Sequence, residues 1–169
     1  MNMEISVRAV DAAPERLPPQ LRSTVAYWEE CRGERFAPRW RDFALDEISP
    51  EILPWSTVVD VRDDPLDFVY RFWGTSRLRL QEGDMTGRSA RDLTPAKLSD
   101  LVFDEYADLL ERRRPTLYST RISGPMGELD HAFLRLPLSD DGTTIEKVFG
   151  VSHNREGKSM LLQALGGGS

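Results

Sequence analysis

One long amphipathic helix divides this sequence into two sets of strand-like segments, and that division narrows the fold more than any other feature. Over residues 95–113, Leu98, Leu101, Val102, Tyr106, Leu109 and Leu110 form one apolar stripe at helical spacing. Thr94 is placed to cap the helix and Pro95 suits its first turn. Arg112, Arg113 and Arg114 fall at the C-terminal end, where positive charge complements the helix dipole, and Pro115 blocks continuation. Before the helix, residues 56–62 are rich in Val and Thr, and residues 68–73 are aromatic. Asp63-Asp64-Pro65 between them has turn chemistry, so the pair reads as a hairpin. After the helix come three segments, 116–123, 129–138 and 146–152. They are separated by Gly124-Pro125-Met126-Gly127 and Ser139-Asp140-Asp141-Gly142, which reads as a meander. The pattern predicts an α+β fold with one five-stranded antiparallel sheet and helices gathered on one face.

The rest of the chain divides around that core. Residues 1–20 contain Pro14, Pro18 and Pro19 and show no period, so they read as an extended arm. A helix is expected over residues 21–32, where Leu21, Val25, Trp28 and Cys31 recur on one side and Gly33 ends it. Short helical pieces are expected at 46–53, begun by Ser49-Pro50, and at 75–81, closed by Gly83. Residues 155–169 end in Gly166-Gly167-Gly168-Ser169 and read as a flexible tail. The division is an arm at 1–20, a helical segment at 21–54, a core at 55–154 and a tail at 155–169.

A chain of 169 residues fits one domain, and four Trp, four Tyr and seven Phe supply its interior. A net charge of -6 argues against nucleic acid, which selects basic surfaces. The apolar runs are too short to span a bilayer, and the first ten residues lack the apolar stretch of a signal peptide. A single cysteine, Cys31, allows no internal disulfide and suits a reducing compartment. The expected location is therefore the cytoplasm, with no membrane association.

Strand, strand, helices, then three strands is the order of a PAS domain. Tyr27-Trp28 with Arg32, Ile52-Leu53-Pro54, Tyr70-Arg71-Phe72-Trp73-Gly74-Thr75, Met85-Thr86-Gly87 and the run Arg135-Leu136-Pro137-Leu138-Ser139-Asp140-Asp141-Gly142 follow in that order. Together they resemble a bacterial subfamily, found mainly in alphaproteobacteria, in which a PAS domain forms nearly the whole protein. The resemblance covers roughly residues 21 to 154. It implies a five-stranded sheet whose helix-covered face can enclose a small molecule, and a role in signalling or protein interaction. It does not imply a particular ligand.

No side-chain constellation points to catalysis or a cofactor. His131 and His153 fall on strands or strand ends, away from the helix that faces a haem in this fold, and no H-x-x-H or C-x-x-C spacing occurs. Cys31 lies on the N-terminal helix, outside the core in which a flavin-reactive cysteine would sit. No G-x-S-x-G occurs, and Asp140-Asp141 reads as turn chemistry. No catalytic residue, metal or cofactor is expected. The leading reading is a sensory or interaction module that binds a small ligand or a signalling partner. The alternative is a small cone-shaped α+β enzyme or carrier, which needs His131 or His153 beside a carboxylate at the bottom of a cavity. A pure scaffold would show no cavity.

Strand alternation sorts the candidate site residues. Burying an unpaired arginine is costly, so the faces carrying Arg71, Arg121 and Arg135 are expected to point away from the long helix. The pocket lining is then Phe68, Tyr70, Phe72, Tyr118, Thr120, Ile122, Leu134 and Leu136, with Ala132. Tyr70, Tyr118 and Thr120 supply polar atoms in an apolar wall. The opposite face holds Arg71, Trp73, Leu117, Arg121, His131, Phe133 and Arg135. Its mixture of aromatics and arginines resembles an interface. Leu21, Val25 and Trp28 of the first helix are expected to cover it, within one chain or in a homodimer.

Overall fold

The computed structural model describes residues 4–125 and 127–152. His153, the tail at 155–169, and Met126 of the first meander turn lie outside the described residues. The strands are β1 (Glu4–Asp11), β2 (Ser56–Arg62), β3 (Asp67–Trp73), β4 (Thr116–Gly124), β5 (Gly127–Leu138) and β6 (Lys147–Ser152). They form one fully antiparallel sheet in the order β1-β4-β5-β6-β2-β3. Two helices, α1 (Pro19–Arg32) and α2 (Ala96–Arg112), pack on its opposite faces. No helix among the described residues is long and apolar enough to cross a membrane. The fold is α+β, and β2 through β6 with α2 between the second and third of these strands follow the PAS order.

The sheet has six strands, not five. Residues 4–11 of the expected arm form β1, which pairs with β4 from Glu4↔Ser123 to Asp11↔Thr116. A period-2 signal was present there. Ile5, Val7 and Ala9 alternate with Glu4, Ser6 and Arg8, and Ala9 packs into the α2-side core. The short helical pieces are reduced to single 3-10 turns at Leu45–Glu47, Leu53–Trp55 and Thr75–Arg77. Stretches this short and this polar gain too few hydrogen bonds to offset helix nucleation. Helix α2 is capped at Pro95, and Thr94 instead hydrogen-bonds Gln81 through its backbone and hydroxyl.

Both faces of the sheet are covered, so there are two cores. On the α2 side, Phe68 stacks on Tyr106 at 4.9 Å and meets Phe103 edge-on at 5.0 Å, joined by Tyr118, Ile122 and Val148. On the α1 side, Leu21, Val25 and Trp28 bury against Leu134, Leu136 and Phe149. The Trp28 indole donates to Pro137 O at 2.8 Å.

Which residues face which core differs from expectation in two strands. The register between β2 and β3 shifts between Val58 and Val59, so Val58 faces Phe72 while Val59 faces Tyr70. Arg71 is the extra residue of that bulge. Beyond it the alternation resets, turning Phe72 to the α1 side and Trp73 to the α2 side. In β5 the expected faces are exchanged outright. Leu134 and Leu136, with Ala132 at the margin, lie on the α1 side. Phe133 and Arg135 lie beneath α2, and Arg135 is 0% exposed.

Candidate functional site

The register lines up five residues in a row across five strands on the α2 face. Thr116 pairs with Arg135, Arg135 with Gly150, Gly150 with Thr57, and Thr57 with Trp73. Gly150 sits in the middle and makes the row workable. A Cβ there would stand 2.7 Å from Phe133 Cε1, 3.2 Å from the Arg135 guanidinium and 3.3 Å from the Thr57 hydroxyl. Without a side chain at Gly150, strand β6 leaves a trough in which the guanidinium lies over the Phe133 ring.

Arg135 is buried because α2 brings it a partner. Its Nε and Nη2 donate to Glu105 Oε2 at 2.9 and 2.7 Å. Its guanidinium carbon lies 4.0 Å from the centroids of both Tyr106 and Phe133. The expectation that all three arginines point outward failed here for this reason. A buried arginine is costly when unpaired, and this one has a carboxylate and two aromatic faces. The sequence held a clue. Glu105 falls within the apolar stripe of α2, beside Val102, Tyr106 and Leu109, where a solvated carboxylate does not belong.

A second buried arginine comes from a place the sequence did not single out. After β3 the chain turns at Gly74, whose position tolerates no Cβ because the Pro54 carbonyl presses directly against it. That close approach, with Gly74 N donating to Ser56 O at 2.9 Å, seats the turn Thr75–Arg77 on the turn Leu53–Trp55. Arg77 is thereby directed inward and is 3% exposed. One of its terminal nitrogens donates to Trp55 O at 3.2 Å. Its guanidinium lies over Trp73 at 4.7 Å and over Phe133 at 5.4 Å. Among the described residues no carboxylate lies within ion-pair distance of it. Burial pushes its pKa down to about 10, which leaves it protonated at neutral pH.

Between the two arginines is a small chamber of about 10 Å³, lined by Tyr70, Trp73, Arg77, Leu80, Gln81 and Arg135 among others. Three buried donors of its lining have no hydrogen-bond partner among the described residues, Arg77 Nε, Arg135 Nη1 and Trp73 Nε1, and the equally unpartnered Thr57 Oγ1 lies beside Arg135 Nη1 across Gly150. Tyr70 completes the wall, its pKa raised well above the ordinary value, first by burial and further by Tyr106. It is therefore a neutral phenol.

The other expected pocket residues are spread more widely. Phe68, Tyr118 and Ile122 are in the α2-side core with Tyr70. The Tyr118 hydroxyl donates to Asp108 at 2.8 Å. Thr120 stands opposite His131, which is buried with Nε2 2.8 Å from the Ser152 hydroxyl. Phe72, Leu134 and Leu136 belong to the α1 side and do not reach the chamber. Of the expected outer face, Arg71 pairs with Asp60 at 2.8 Å and Arg121 with Asp130 at 2.8 Å, both at the surface. Trp73, Phe133 and Arg135 are the chamber's own walls.

No protein-family model and no curated protein sequence matches the chain. Among solved structures it is similar to one described as an RNA-binding light-oxygen-voltage receptor, at 14% identity and a TM-score of 0.47. The alignment covers 96% of this chain and 44% of that one, so the chain spans less than half of the receptor's length.

Proposed function

We propose that the chain is a PAS-type sensory module of bacterial signalling that binds a small ligand beneath α2 and passes the change to a protein partner in the cytoplasm. The observation carrying this reading is the buried Arg77. A protonated guanidinium with no carboxylate partner among the described residues, facing unpaired donors, is a costly arrangement for a closed core and a suitable one for a binding site. The chemistry of the chamber favours binding over catalysis, since the arginines and the Tyr70 phenol all hold their protons near neutral pH. Strand β5 supplies a route outward. Arg135 is on one face of it, while Leu134 and Leu136 on the other touch the core under α1.

Native mass spectrometry of freshly purified protein, followed by thermal melts against a panel of charged and neutral metabolites, tests this. A retained small molecule or a saturable rise in Tm is expected. A bare protein mass together with no response to any compound would remove the sensory reading.

A further inference from the structure

The chamber has an unbalanced charge. Among the described residues, Arg77 and Arg135 bring two positive charges and Glu105 one negative charge, leaving an excess of one. Water can satisfy the orphaned N–H groups, but it cannot neutralise that charge in a low-dielectric interior. The room of about 10 Å³ accommodates one water-sized group. A dianion would reverse the charge excess.

We infer that this chamber binds a single negative charge, as a small monoanion or as the carboxylate head of a small molecule, held between Arg77 Nε and Arg135 Nη1 with Trp73 Nε1 as a third donor. The inference rests on the sensory reading above and specifies its ligand. All three donors belong to side chains no more than 5% exposed, and none has a partner among the described residues. Trp73 lies under the Arg77 guanidinium, and Trp73, Arg77 and Arg135 all line the chamber. A larger molecule would leave past Leu80 and Gln81. That edge is closed by contacts of Gln81 with Thr94: Nε2 to Thr94 O at 2.8 Å, and Thr94 N and Oγ1 to Oε1 at 2.9 and 3.0 Å. These exposed bonds can open without disturbing the sheet.

The test uses full-length protein exchanged into a buffer whose only anion is a bulky sulfonate, at constant ionic strength. It is titrated separately with chloride, nitrate, formate, acetate, butyrate and sulfate, following Tm and tryptophan fluorescence. At least one monoanion is expected to raise Tm saturably, by about 5 °C or more at a hundred times its Kd. Sulfate should not. Preference for chloride or nitrate identifies a free ion, and rising affinity from formate to butyrate identifies a carboxylate head with a tail. Arg77→Met should abolish the response while Arg121→Gln, at the surface, retains it. Equal responses in the wild type and Arg77→Met would overturn the inference, as would saturation by sulfate alone. Stabilisation only by neutral compounds would overturn it and leave the sensory reading standing. No response to anything, with no retained mass, would end both. Should Arg77→Met fail to fold, wild-type crystals grown in bromide or in butyrate give the answer: an anomalous peak or a carboxylate between Arg77 and Arg135 supports the site, and the absence of both rejects it.

Discussion

At position 135 two rules about charge compete, and the partner decides. An isolated guanidinium is excluded from a core, yet Arg135 is fully buried because Glu105 accepts two of its hydrogen bonds and Tyr106 and Phe133 cover its faces. Removing only the acid should therefore be severe. Glu105→Gln leaves two buried guanidiniums uncompensated and is expected to cost roughly 3–5 kcal/mol. Because the pair itself contributes little beyond a well-packed apolar replacement, the double variant Glu105→Leu/Arg135→Met should recover most of that loss. Denaturant melts of both variants decide the matter. A Glu105→Gln protein as stable as the wild type would mean that the pair does not hold Arg135 in place. The sequence showed Glu105 within an apolar stripe. It did not show that this carboxylate meets Arg135, thirty residues away.

The elements were largely legible because each carries its own period. The long helix, the hairpin and the three-strand meander are found within a few residues of where the apolar spacing puts them. The exceptions are the two short helical pieces, which are single turns, and strand β1, whose short alternation was obscured by the prolines that follow. Strand β1 lies at the sheet edge with Ile5 and Val7 exposed and covers the outer side of β4. Deleting residues 1–11 should lower Tm by about 5 °C, from the lost ladder bonds and the Arg114–Asp11 pair. It should also induce concentration-dependent self-association through the bared β4 edge. Calorimetry and size-exclusion chromatography read these effects. An unchanged Tm and a concentration-independent elution volume would show that β1 neither stabilises nor shields the sheet.

For the molecule as a whole, one sheet is the wall of both cores, so neither core can be lost alone. Single-tryptophan proteins retaining only Trp28, on the α1 side, or Trp73, in the chamber, should report the same guanidinium midpoint. Two separated midpoints would show that the faces unfold independently and would break the proposed route from chamber to α1. The kinds of element, their order and the antiparallel α+β class follow from local residue patterns, because periodicity, turn residues and helix caps act over a few neighbouring residues. Tertiary structure alone decided which way Phe72, Trp73, Phe133 and Arg135 point and that Arg77 enters the interior. A strand of period two offers two equivalent faces. With helices on both sides of the sheet, hydrophobicity does not choose between them. The choice rests on a bulge at Arg71, on a glycine in the neighbouring strand, and on a carboxylate carried by a distant helix.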